Sequence, residues 1–206
     1  APLRGNGGRA TLARQVTDAL LRLLRDPARR AWVLAGVAIA TRAAASLMSV
    51  VIHPDSPRYL RMATLIGESR FGEALAIPPF SHPLYSVLIA LAEVFQRNQL
   101  FAAYAISAVL GGLSVVPLYL MTRAAWGERI ATIAALLYAF LPDPVELHGS
   151  ALPEGPFYFF FLSTMALGWS ALEKKSWERA LLAGACAAAD LPAAPLSIED
   201  APGRAF

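Results

Sequence analysis

Long apolar runs separated by short charged connections dominate the chain from residue 31 onward, and a stretch of alternating leucine and arginine precedes them. In TLARQVTDALLRLLR, residues 11–25, Leu12, Val16, Leu20, Leu23 and Leu24 share one face at helical spacing, with Arg14, Asp18, Arg22 and Arg25 opposite. That pattern predicts a basic amphipathic helix lying on a membrane surface. The run AWVLAGVAIATRAAASLMSVV, residues 31–51, has Arg42 as its single charge and is long enough to cross a hydrocarbon core of about 30 Å. Its length and the long basic region ahead of it argue for an uncleaved span rather than a secretory signal. Residues 100–121 form a second predicted span, 130–141 a short third and 157–172 a fourth.

Charge placement orients these spans. Residues 1–30 hold seven arginines against Asp18 and Asp26, which assigns them to the cytoplasm and sends residue 53 outside. The connections TRAAWGER (Arg123, Arg129) and EKKSWER (Lys174, Lys175, Arg179) are basic, whereas PDPVELHGSALPEG carries Asp143, Glu146 and Glu154 and no lysine or arginine. Four crossings from a cytoplasmic start reproduce this alternation if the apolar stretch 83–95, too short to span, stays outside as an interfacial or re-entrant helix. Residues 53–99 then form an external loop with two short helices. The first runs from Pro57 to about Ser69, with Ser56 as N-cap and Pro57 in the first turn; Pro78, Pro79 and Pro83 break the chain before the second. Residues 180–189 are too short to cross alone. The last stretch, DLPAAPLSIEDAPGRAF, has three prolines and no helical period and is expected to be disordered. The organisation is therefore a cytoplasmic basic segment (1–30), a membrane region (31–189) and an irregular tail (190–206).

Composition agrees with this picture: 56% hydrophobic and 16% charged residues exclude an ordinary soluble domain and indicate an all-α, multi-pass membrane protein. The single Cys186 rules out a disulfide framework or thiolate metal site within one chain. The net charge is +3, and the basic block lacks the aromatic interleaving of a nucleic-acid binder, so no nucleic-acid partner is expected. No Walker loop, dinucleotide glycine fingerprint, zinc-protease motif or nucleophile elbow is present. Any chemistry must use carboxylates and basic groups at a membrane surface.

The candidates cluster around HPDSPRYLRMA. Asp55 stands just before a helix N-terminus, where the helix dipole favours the carboxylate; capping of that helix by Asp55 and Ser56 explains the pair as well. Glu154 lies at the mouth of the fourth span on the same membrane face. With Asp55 it could hold a divalent cation or supply a general base, or it is a solvated loop glutamate. Arg58 and Arg61, one turn apart, suit a lipid phosphate, a need that ordinary headgroup contact also meets. Arg42 near a bilayer centre costs at least a few kcal/mol and needs an interior partner that the sequence does not identify. His82 and Tyr85 open the second external helix, and His148 lies in the acidic loop with a weaker claim.

The Arg-containing first span, HPDSPRYLRMA, PPFSHPLYSVLIALAEVF and GGLSVVPLYLMTRAAWGERIATIAALLYAFLPDPVELHGSALPEGPFYFFFL, in that order, resemble the N-terminal part of the GT-C membrane glycosyltransferases. The likeness covers roughly residues 31–185 and is nearest to bacterial members of glycosyltransferase family 39, relatives of the protein mannosyltransferases and aminoarabinose transferases. It implies a GT-C-like helical bundle with external juxtamembrane helices. It also implies inverting transfer of a sugar from a polyprenyl-phosphate carrier to a lipid or protein acceptor, at a bacterial inner or plasma membrane. Asp55 matches the catalytic acidic residue of the first external loop, with Tyr59 four residues on, and Glu154 matches the second acidic position. SHPLY matches the opening of the second juxtamembrane helix, with Ser81 and His82 where some members carry a phosphate-contacting lysine; His82 is the substitute. The family continues through further spans, so a truncated or frame-shifted product is expected. A transporter or channel fragment, for which no internal repeat is found, and a non-catalytic membrane scaffold are the alternatives.

Overall fold

The computed structural model describes residues 26–48, 53–77, 83–95 and 97–190. The segment 11–25, the Pro78–Pro79 stretch with Ser81 and His82, and the tail beyond residue 190 lie outside the described residues. Regular structure among the described residues is entirely helical: α1 (Pro27–Met48), α2 (Ser56–Gly67), α3 (Phe71–Leu75), α4 (Pro83–Glu93), α5 (Gln99–Leu113), α6 (Val115–Trp126), α7 (Glu128–Phe140), α8 (Pro142–His148), α9 (Glu154–Lys174) and α10 (Trp177–Asp190).

The bundle is held by small residues. The buried positions of α1 are Ala31, Leu34, Ala35, Ala38 and Arg42, a stripe recurring every three or four residues. It meets Ala131, Ala135 and Ala139 of α7, with Val115 and Tyr119 of α6 filling the space between. Such alanine rows let backbones approach closely, and close approach matters most where surrounding lipid removes the usual hydrophobic drive for helix pairing. The outward sides carry large apolar residues instead: Leu47, Ile133 and Leu137 are all exposed.

α1 is long and apolar enough to cross a membrane. So is the 28-residue rod Gln99–Trp126, which comprises α5 and α6 with a turn at Ser114. Pro117 lacks the N–H that would bond the Leu113 carbonyl, and the Ser114 hydroxyl bonds back to Leu110 O at 3.0 Å; both loosen a helix at this point. α7 and α8 qualify as a span only together, bent by 57° at the break, where Leu141 before Pro142 is extended (φ −58°, ψ 130°) as a residue preceding proline prefers. The acidic connection expected to be a loop is thus partly helix, because PDPVELH continues α7 after the proline bend. The fourth expected crossing forms α9, whose 21 residues extend about 32 Å at 1.5 Å per residue but do not reach the apolarity of the others. The stretch expected over 83–95 is the 11-residue α4, packed with α2 through Tyr59, Ala63, Tyr85 and Ile89. These two, with the short α3, form a platform at one end of the bundle.

The other end is marked by aromatic residues. All four tryptophans of the sequence, Trp32, Trp126, Trp169 and Trp177, stand at helix ends remote from the platform and are each more than half exposed. That is where a membrane interface places the amphipathic indole.

A close helix contact sets α1 against α5 at Gly112, where an added Cβ would lie 2.4 Å from Ile39 Cγ1 and 2.7 Å from the Ile39 backbone nitrogen. Gly112→Ala is therefore expected to destabilise the protein by about 1–3 kcal/mol through overpacking, read as a lower thermal unfolding midpoint in detergent. Gly36→Ala, where a Cβ meets nothing within 4 Å, should leave the midpoint unchanged or raise it.

Candidate active site

The segment 149–153 links α8 to α9 outside either helix, yet Ala151 and Leu152 are only 2% and 4% exposed. Buried irregular backbone needs partners from the protein, and three helices each supply a serine. Ser46 of α1 shares its hydroxyl between Gly149 O (2.8 Å) and Arg42 O (3.0 Å). Ser56 of α2 donates to Ala151 O at 2.9 Å, and Ser107 of α5 donates to Leu152 O. Gly155 then passes so close to α5 that a Cβ would stand 2.3 Å from the Ser107 carbonyl. These contacts fix the residue between them, Glu154, at the start of α9.

Asp55 occupies the cap position of α2 with helical backbone angles, and its side chain makes no cap hydrogen bond. The expected N-cap, Ser56, is instead the first helical residue, its hydroxyl taken by a carbonyl 95 positions away. The capping explanation of the pair fails because Ser56 serves the buried segment and Pro57 removes one of the N–H groups a cap would satisfy. The Asp55 side chain is 58% exposed. His53 Nδ1 accepts the Asp55 backbone N–H at 3.3 Å and stands 3.8 Å from Asp55 Oδ2.

Arg58 lies over the Tyr59 ring, 4.9 Å from its centroid, and donates to the Tyr59 hydroxyl at 3.1 Å. Burial raises the Tyr59 pKa above its ordinary value; Arg58 opposes this, and the carboxylates of Glu154 and Asp55 add to it. Tyr59 meets Tyr85 edge-on, with ring centroids 5.5 Å apart. The Tyr85 hydroxyl donates to Ala103 O and lies 3.1 Å from the Ser107 hydroxyl, while Ser86 donates to the Tyr59 carbonyl. Glu154 precedes the apolar stretch 157–172. Burial pushes its carboxyl above the usual carboxylate range, Asp55 acts in the same direction, and a backbone hydrogen bond and His53 act against it. Glu154 Oε2 is buried without a hydrogen-bond partner among the described residues.

The structure therefore brings Asp55, Tyr59 and Glu154 within Coulombic reach of one another, with Arg58 on Tyr59. Tyr85 sits beneath them, 1% exposed. Arg61 is exposed, and its charge acts on Glu73 of α3, away from this group. His82 lies outside the described residues. Sequence reasoning passed over His53, Ser46 and Ser107 and read Ser56 as a cap, for no motif marks a serine whose partner is a carbonyl far along the chain. Among the described residues no three His, Cys, Asp or Glu side chains are grouped as a metal site requires; Asp55 and Glu154 could share a hard cation only with oxygen ligands from substrate or water.

Arg42 is fully buried. Its Nε donates to His148 Nδ1 at 3.2 Å, Nη1 to Ala38 O at 3.0 Å and Nη2 to Tyr138 O at 3.1 Å, and its guanidinium lies 4.9 Å from the Tyr138 ring centroid. His148, expected in the acidic loop, is itself fully buried, its ring 5.1 Å from that of Tyr158. The correction follows from the proline bend, which turns α8 into the bundle.

An all-α bundle with long apolar helices, exposed tryptophans at one end and an acidic, arginine-bearing group at the other defines an integral membrane protein with a candidate site at its helix ends. Residues 78–191 match the family model described as dolichyl-phosphate-mannose-protein mannosyltransferase. This is more than half of the 206 residues, and the chain belongs to that family. It is thereby a membrane glycosyltransferase of the mannosyltransferase type. Comparisons with curated proteins and with solved structures give no match. The matched stretch contains Tyr85 and Glu154, whereas Asp55, Arg58, Tyr59 and Arg61 precede it.

Arg42→Met removes the donors to His148, Ala38 and Tyr138 at once and is expected to cost about 2–4 kcal/mol of stability, seen as a lower unfolding midpoint in detergent. Arg123→Met, on an exposed side chain, should change it little.

Proposed function

We propose that the acidic group transfers a sugar from a polyprenyl-phosphate carrier to an acceptor hydroxyl with inversion, on the outer face of a bacterial inner or plasma membrane, with the N-terminus of the chain cytoplasmic. The observation that carries this reading is the convergence of Asp55 and Glu154 beside Arg58, at the helix-end face of a chain of the mannosyltransferase family. Asp55, exposed at the mouth, takes the proton of the acceptor hydroxyl. The acceptor oxygen forms its bond to the anomeric carbon while the bond from that carbon to the carrier phosphate oxygen breaks on the opposite side. The electron pair leaves with the polyprenyl phosphate. Arg58 balances the charge growing on that phosphate, with Arg61 further out and His82 near the opening of α4 as additional phosphate contacts. Glu154, held by the serine-bonded segment, positions the acceptor beside Asp55, and Tyr59 and Tyr85 brace the wall beneath. A divalent cation bound by Asp55 and Glu154 would add electrostatic stabilisation of the phosphate.

The alternating charges of the connections support the orientation, and a carrier confined to the bilayer needs a base at the membrane edge. The test uses the protein in liposomes with polyprenyl-phosphate-linked mannose and a lipid or peptide acceptor. Asp55→Asn is expected to lower transfer by about 10²-fold or more with an unchanged unfolding midpoint, and Glu154→Gln to lower it less. Transfer unaffected by Asp55→Asn removes that residue as base. If wild-type protein retains the carrier but transfers nothing, the sugar-transfer reading itself fails in favour of a binding role. Chelation of divalent ions is expected to reduce transfer if the carboxylates share a cation, and undiminished transfer in EDTA excludes it.

A further inference from the structure

Away from the acidic group, at the tryptophan end of the bundle, a cavity of about 720 Å³ opens between α6, α9 and α10, with Trp32 of α1 on its rim. The volume is that of a ligand site rather than a packing defect. Its lining is graded from one end to the other. Ser170, Glu173, Lys174 and Arg179 stand at the helix ends, whereas Leu113, Val116 and Phe159 line the deep end. Along α9 the step from Lys174 to Phe159 is about 22 Å at 1.5 Å per residue, close to one leaflet of a hydrocarbon core about 30 Å thick together with its polar border.

The polar end carries two cations against one carboxylate, and Arg179 is anchored there by donating to the Ser170 hydroxyl. Trp32 and Trp169, on the rim and in the lining, are 61% and 51% exposed, so the groove opens sideways toward what surrounds the bundle. A soluble metabolite would not match a wall that is apolar over most of its length. A peptide would bring backbone groups that this wall could not satisfy. An amphiphile with one charged head and a long tail, lying parallel to the helices, matches the charge, the polarity gradient and the depth together.

We propose that this groove binds one anionic phospholipid of the leaflet at the tryptophan end, its phosphate on Lys174 and Arg179 and an acyl chain between α6 and α9. Basic groups between membrane helices recruit acidic headgroups in this way. The site faces the leaflet opposite the acidic group, so its occupant is a resident lipid and not the sugar carrier. The inference does not depend on sugar transfer.

The test is retention of added lipid by the purified full chain in detergent, followed by native mass spectrometry, with phosphatidylglycerol and phosphatidylcholine of the same acyl chains and with polyprenyl phosphate. Phosphatidylglycerol is expected to be retained in preference, and replacing the cations by Lys174→Ser and Arg179→Ser to cut that preference by about fivefold per removed charge. Ala166→Phe, which fills the groove, should abolish retention without touching the charged end. Tryptophan fluorescence of the same samples should be quenched by phosphatidylglycerol brominated on its acyl chains, and less so in Ala166→Phe. Equal retention of the two phospholipids, retention that survives Ala166→Phe in a variant with an unchanged unfolding midpoint, or displacement of the phospholipid by polyprenyl phosphate would each overturn the assignment.

Discussion

A guanidinium in the middle of an apolar helix has to be solvated by protein, and the bundle is arranged around that requirement. Arg42 is fully buried, and leaving it unpaired would cost several kcal/mol. It is satisfied by His148, by the carbonyls of Ala38 and Tyr138, and by the Tyr138 ring. Two of those partners lie about a hundred residues further along the chain, on either side of the proline bend at Leu141 and Pro142. Once Arg42 is held, α7, the bend and α8 are placed against α1. The geometry of the break ceases to be a local matter of proline chemistry and becomes a condition of burying the charge.

That placement reaches the acidic group through a short path of backbone. His148 ends α8, and the irregular segment that follows runs directly into Glu154. Its carbonyls are taken up by Ser46, Ser56 and Ser107, so α1, α2 and α5 each hold one point of it. Ser56 is next to Asp55, and Ser107 lies beside both Gly155 and Tyr85. The two carboxylates are therefore positioned by the same hydrogen bonds that make a buried, non-helical stretch tolerable at all. The residues at the mouth thereby rest on helix ends rather than on a free loop.

The opposite end of the bundle has another character. Tryptophans, lysines and arginines gather there, and the connection from α9 to α10 turns at Lys175 in a left-handed conformation (φ 48°). The fold thus separates an acidic, partly polar face from a basic, aromatic-rimmed one across the length of α9.

Much of this was legible in the residues. The apolar runs and their alternating charge set the helical class and the approximate limits of the long helices, because hydrophobic length and period are local properties. Asp55 and Glu154 could be singled out because the alternating charge of the connections assigns both to one membrane face and both match acidic positions of the resembled family. The resemblance in motif order pointed to the family that the comparison then supplied. What the chain could not disclose one residue at a time was pairing over long separations. Arg42 demanded a partner, but nothing near it named His148, which read as a loop residue until the bend after Phe140 turned it inward. Ser56 looked like a cap because its neighbours favour capping, and only the approach of Ala151 claimed its hydroxyl. Arg61 looked equivalent to Arg58 on helical spacing, but its charge acts on Glu73 of α3 while Arg58 lies on Tyr59. The sequence determined which segments are helical and which carry charge to a membrane surface, since hydropathy and charge act residue by residue. The tertiary structure alone decided which buried donor meets which acceptor, since that depends on distances between helices that close only when the whole bundle packs.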